Sequence, residues 1–240
     1  MSSRITCEVR TTAPVAVVRL AGALHLGTMR SVHRALSDAL VDQPEALVVD
    51  MAEVSVEDRL ALSVFAATAR SAEEWPAVPV VLCAPSPIAA RWLAESTTCR
   101  VVPVSADCAE ATRMAGATLR MRARLEPVAE ACRRARELVT DACNRWNLPE
   151  AAGPAALVLS ELVGNVVRHA GTPMQVTVTL RRPYLHLAVV DGSSAQAQPG
   201  GTDLHAEGGR GLMLVRELAQ RWGSVPAGQG KAVWAMLPAT

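Results

Sequence analysis

The segment SELVGNVVRHAG (160–171) sets Glu161, Asn165 and His169 at i, i+4 and i+8. On an α-helix that spacing makes one polar stripe. Leu159, Leu162, Val163, Val166 and Val167 form an apolar remainder suited to a core. A carboxylate in such a row can serve as a general base. An amide oxygen one turn away is a hard ligand suited to Mg²⁺ beside phosphates. Further on, Asp191-Gly192 ends an apolar run, and Gly208-Gly209-Arg210-Gly211-Leu212 opens another. Glycines ahead of a helix let backbone N–H groups approach an anion, which the helix dipole favours there. An aspartate at a strand end can accept a hydrogen bond from a base amine. Each feature alone has a plainer reading: a core amide for Asn165, a turn for Asp-Gly, a tight connection for the glycines, a helix-end residue for His169. In this order they are the parts of a site for a nucleoside triphosphate and its metal.

The elements that must position these residues are those of an ordinary globular protein. The chain has 240 residues, half of them apolar, and a formal charge of +1. Such a balance gives no bulk attraction to nucleic acid or to an acidic membrane. Asp50 and Glu161 interrupt the two longest apolar runs, and MSSRITCEVR lacks the apolar core of a secretory signal. The expectation is a cytoplasmic protein. Its cysteines (7, 83, 99, 108, 132 and 143) show no C-x-x-C spacing, so reduced thiols are expected. Lys231 is the only lysine in a chain rich in arginine, which reads clusters such as RMRAR (120–124) as compositional bias.

Periodicity divides the chain in two. Strands at 5–11, 15–22, 46–51, 78–84 and 100–105 alternate with helices at 27–42, 57–75, 86–96 and 106–122, an α/β domain over 1–112 followed by a linker helix, 113–122. The second domain, 123–240, opens with an amphipathic helix at 126–146 and a loop at 147–154. The helix bearing the polar stripe, strands at 174–182 and 184–191, a long polar segment at 192–209, a helix at 210–222 and a strand at 231–238 complete it.

The ordered set in the second domain resembles the GHKL ATPase fold, an α/β sandwich, and within it the bacterial anti-sigma-factor serine kinase group. SELVGNVVRHA (160–170) is similar to its N box, VVDGSS (189–194) and GGRGLMLVRELAQRWG (208–223) to its glycine boxes, and GKAVWAML (230–237) to its closing strand. The resemblance implies ATP with Mg²⁺, the metal held by Asn165 and the adenine amine met by Asp191. It implies Gly209 and Gly211 in the phosphate loop, a mobile lid over 192–208 and Glu161 as general base toward a protein serine. His169, Gly192, Arg210, Leu212 and Lys231 fall in the same boxes as further nucleotide-binding candidates. The group often has a proline soon after its Asp box; here it is delayed to Pro199.

The first domain resembles the STAS fold of anti-sigma-factor antagonists. In that family Asp-Ser-Ser-Gly carries the phosphorylated serine. Here Asp58 is followed by Arg59, Leu60 and Ala61, and the nearest hydroxyls are Ser55 and Ser63. The resemblance then implies a docking, dimerising or autoinhibitory module. The expected partners are a sigma factor, a separate STAS antagonist or a second copy of the chain, with neither nucleic acid nor membrane bound directly. Two readings follow: a protein serine kinase working by partner switching, favoured by Glu161, and an ATP-binding docking switch, favoured by the delayed proline. A histidine-kinase fragment is disfavoured because no two-helix phosphoacceptor domain precedes the N box. A dinucleotide site is excluded because GGRGL is not G-x-G-x-x-G.

Overall fold

The computed structural model describes residues 5–12, 14–114, 119–194 and 209–239. The chain forms two compact units, Met1–Thr118 and Leu119–Thr240.

In the first unit the strands β1 (Ile5–Thr12), β2 (Val15–Leu24), β3 (Ala46–Val56), β4 (Val80–Cys83) and β5 (Val104–Ser105) lie in sequence order in one sheet. The β1–β2 pair is antiparallel and the other pairs are parallel. Parallel neighbours need crossovers, and α1 (Met29–Leu40), α2 (Ser63–Glu74) and α3 (Pro87–Glu95) supply them. Ser86 caps α3 through the Ala89 N–H, with Pro87 at its first position, as Ser-Pro spacing predicts. These helices share one core with β2 to β4, including Val32, Leu36, Phe65 and Leu93. α4 (Cys108–Met114) packs through a smaller cluster of Val48, Val81, Cys83 and Ala111. There the structure corrects the expectation of free thiols. Cys83 and Cys108 form a disulfide with Cα atoms 5.1 Å apart. No local spacing signals a bond made across 25 residues by folding. Burial pushes the Cys7, Cys99 and Cys143 thiols up from their ordinary value.

The second unit is a five-stranded antiparallel sheet under helices. Its strands are β6 (Leu119–Leu125), β7 (Met174–Arg181), β8 (Tyr184–Asp191), β9 (Arg221–Ala227) and β10 (Gly230–Pro238), in the order β6-β7-β8-β10-β9. α5 (Ala131–Trp146) and α6 (Pro149–Asn165) pack on each other, and α7 (Gly209–Leu218) packs on α6. Alternate strand residues, Val176 and Val178, Leu187 and Val189, Val233 and Ala235, meet Val139, Val158, Leu162 and Val215 from the helices. The periodicity of 2 on strands and 3.6 on helices thus delivers both layers to one core.

Three elements differ from expectation. Residues 119–122 belong to β6, not to a linker helix over 113–122 or a helix running to 122, because Leu119, Met121, Ala123 and Leu125 alternate with Arg120, Arg122 and Arg124. Arg120 Nε donates to Thr179 Oγ1 of β7 at 3.0 Å, across the ladder. The supposed loop at 147–154 holds the first turn of α6, which starts with Pro149 at a position that needs no N–H. Finally, 221–227 is the edge strand β9, whose Gly223 and Pro226 hide it from a propensity reading.

Residues Pro149–Ala170 are long and apolar enough to cross a membrane by length and composition. Ala151, Ala155, Val158, Leu159, Leu162 and Val163 on that segment are buried in the sandwich core, which accounts for its hydropathy.

Candidate nucleotide site

α6 does not end as an α-helix. From Val166 to Ala170 it widens into a π turn, and Gly171 closes it in the left-handed region at φ 60° with its N–H on the Val166 carbonyl at 2.8 Å. Such turns recur at functional sites. Glu161 and Asn165 are half-buried on this helix, whereas His169 is exposed. The third member of the polar stripe is Arg168. Its Nη2 donates to Asn165 Oδ1 at 3.1 Å and lies 3.7 Å from Glu161 Oε2. The guanidinium folds back over the helix, where a Cβ on Gly164 would come within 2.9 Å of Nη1. Glu161, Asn165 and Arg168 stand at i, i+4 and i+7, as good a same-face spacing as i+8.

α7 meets this stripe at its first turn. A Cβ on Gly211 would overlap Glu161 Oε2, so the end of the Glu161 side chain lies directly against the backbone of this turn. The backbone of Gly209, Arg210 and Gly211 is the N-terminus of α7, where unpaired N–H groups and the dipole attract an anion. Leu212, next in line, is buried. The lid expected over 192–208 lies, from residue 195 onward, outside the described residues.

The other end of the site is the Asp191-Gly192 turn leaving β8. Asp191 is 4% exposed. Its Oδ1 accepts from the Ser193 N–H at 2.7 Å and from Lys231 Nζ at 3.1 Å. Lys231 is set there by β-sheet register, directly opposite Asp191 on β10. It is not a surface cation: its side chain is 12% exposed. Gly192 N–H donates to Thr172 Oγ1 at 3.0 Å, tying the turn to the residue after Gly171. The end of the stripe helix and the Asp turn are therefore joined directly, as are Glu161 and the α7 N-terminus.

These residues fit a nucleotide. Asp191 Oδ2 is buried and, beyond its ion pair with Lys231 Nζ at 3.0 Å, makes no hydrogen bond among the described residues, which leaves a lone pair suited to a base amine. Asn165 offers a hard oxygen, and the α7 N-terminus offers N–H donors with no Cβ in the way. Residues 121–237 match the histidine kinase-like ATPase domain family, and residues 6–111 match the STAS domain family. The chain joins a STAS domain to a histidine kinase-like ATPase domain. The site just described lies wholly in the ATPase domain, and that family supports ATP as its ligand.

Solved structures similar to the STAS domain include an anti-sigma factor antagonist from Mycobacterium paratuberculosis. It is 22% identical, with 47% of this chain and 94% of that chain covered and a TM-score of 0.42. The anti-sigma factor antagonist SpoIIAA in its unphosphorylated form is 17% identical over 45% of this chain and 95% of that chain, with a TM-score of 0.39. No curated protein matches the chain in sequence.

Within the STAS domain, Asp58 caps the short helical turn Arg59–Leu62 by accepting from the Leu60 N–H at 2.8 Å. Leu60 is 69% exposed, and Arg59 pairs with Glu95 at 3.1 Å. Ser63 spends its hydroxyl on the Leu60 carbonyl at 2.7 Å.

Proposed function

We propose that the chain is a cytoplasmic protein serine kinase of the anti-sigma-factor type, which uses Mg·ATP to phosphorylate a separate STAS antagonist and so controls a sigma factor by partner switching. The observation that carries this reading is the seating of Glu161 against the N-terminal turn of α7. A candidate base and a candidate phosphate cradle are in direct contact there, with no side chain between them. Bound Mg·ATP would supply the phosphoryl group. The chain's own residues would do the rest. Asp191 accepts from the base amine. The N–H groups of Gly209, Arg210 and Gly211 take phosphate oxygens. Asn165 turns its oxygen to the metal once Arg168 yields it. Glu161 removes the proton from the incoming serine hydroxyl.

The substrate is assigned in trans because the chain's own STAS domain has no hydroxyl where that family carries its acceptor serine. Arg59 and Leu60 occupy the place, and neither accepts phosphate. The exposed Leu60 instead favours a docking role for this domain, with pairing to a second copy one form of it. A docking switch with little phosphotransfer is the second reading, supported by the same loss of an acceptor.

The test is capture of partners on the full chain with and without Mg·ATP, followed by phosphosite mapping. ATP-dependent phosphoserine on a captured STAS protein is the expected result. A partner captured equally in both conditions and never phosphorylated would select the docking switch.

A further inference from the structure

The Asp191–Lys231 pair is built more tightly than recognition of a base requires. Both groups are buried, and Lys231 Nζ lies 3.1 Å from Oδ1 and 3.0 Å from Oδ2. The same nitrogen reaches the Ser193 carbonyl at 3.4 Å. An ammonium has three N–H groups. Three acceptors face this one, so none is left for a ligand. Lys231 therefore acts through Asp191. Oδ1 is filled by Ser193 and Lys231, while Oδ2 keeps an open lone pair.

Charge decides what that lone pair can recognise. A carboxylate oxygen accepts and does not donate, so it suits an amine and repels a carbonyl. We propose that Lys231 is a positioning residue that holds the Asp191 carboxylate with a lone pair of Oδ2 turned to the base, so that the site selects a 6-amino purine over a 6-oxo purine. This rests on the reading that Asp191 meets the base. It also gives a role to the only lysine of a chain otherwise rich in arginine.

The test is displacement of a fluorescent nucleotide from the full chain by ATP and by ITP, which differ in the amine or carbonyl at position 6. One hydrogen bond to a charged group is worth a preference for ATP of roughly 10- to 100-fold. Lys231→Met should bring that preference to within about threefold, because the carboxylate then loses the contact that aims Oδ2 at the amine. Lys231→Arg should keep most of it, as a retained charge demands. Should Lys231→Met fail to fold, Lys231→Gln is read in the same way. A neutral variant that loses ATP and ITP affinity in parallel, with the ratio unchanged, overturns the proposal. Asp191→Asn separates the two layers. If it relaxes the ratio and Lys231→Met does not, only the role of Lys231 fails. If neither relaxes it, the base assignment fails as well.

Discussion

Gly230 offers the sharpest test of how the nucleotide end of the sheet is built. A Cβ at this position would fall on the Asp191 carbonyl oxygen and lie 2.8 Å from both Asp191 C and Gly192 Cα. All three are backbone atoms of the neighbouring strand, so no side chain can swing away. Gly230→Ala must part β8 from β10 at the register pair Lys231–Asp191. Overpacking of this kind costs about 1–3 kcal/mol. One or two ladder hydrogen bonds lost with it add about 1 kcal/mol each. The sum is about 2–5 kcal/mol, which for a unit of this size lowers Tm by roughly 10–25 °C. Two other glycines make the controls. Gly228 has φ +57° and open space around its Cβ position, so Gly228→Ala costs only backbone strain, about 1–2 kcal/mol. Gly153, inside α6, has no non-neighbouring atom near its Cβ position but precedes Pro154, whose ring crowds a preceding Cβ in the helical region and offsets the propensity gain of about 0.5–1 kcal/mol, so Gly153→Ala should stay near wild type. Scanning calorimetry on the full chain should place Gly153→Ala near wild type, Gly228→Ala below both and Gly230→Ala lowest. If Gly230→Ala melts no lower than Gly228→Ala, the strands are not packed backbone to backbone there.

Glu161→Gln keeps shape but not basicity and should slow phosphotransfer by ~10²–10⁴ while leaving ATP affinity in place; single-turnover kinetics at wild-type speed would remove Glu161 from the base role. Asn165→Ala should weaken ATP binding in Mg²⁺ and leave Mg²⁺-free binding unchanged by calorimetry, and equal losses in both would show that Asn165 holds no metal. Incubating the full chain with Mg·ATP should leave residues 55–63 unphosphorylated by peptide mapping, since Ser63 is hydrogen-bonded and Arg59-Leu60 replace the acceptor; phosphate on Ser55 or Ser63 would make the STAS domain a substrate. Reducing Cys83–Cys108 opens a loop spanning 25 residues, worth about 3 kcal/mol by chain entropy. The first unit should then melt on the order of 10 °C lower, and an unshifted transition would mean that the bond adds nothing to stability.

Much of the fold was legible because its core obeys simple periods. The polar stripe on α6, the Asp191 strand end and the glycines before α7 could be found by spacing alone. What escaped did so for identifiable reasons. Arginine is so common here that its clusters carry little information, and discounting RMRAR (120–124) hid the alternation that makes β6 a strand. Counting in steps of four reaches His169 and passes over Arg168 at i+7, whose contact with Asn165 only the folded helix shows. Lys231 could be singled out by rarity, but its pairing with Asp191 depends on strand register, which local sequence does not specify. The disulfide joins residues brought close only by tertiary folding.

The placement of β6 at the rim of the ATPase sheet bears on how this chain can be cut. A fragment begun at residue 123 would keep Ala123–Leu125 and discard Leu119–Arg122, more than half of the pairing that covers β7. The uncovered stretch, with Val178 and Leu180, would then offer bare N–H and C=O groups to any strand of a second fragment. The arginines of β6, at 120, 122 and 124, place positive charge along that rim in the intact chain, and like charges discourage two such rims from joining. Shortening the ATPase domain from its N-terminal side thus removes both the cover and the repulsion in one step. Aggregation of such a fragment would report a damaged sheet margin and say nothing against nucleotide binding, whereas one begun at Leu119 retains its guard.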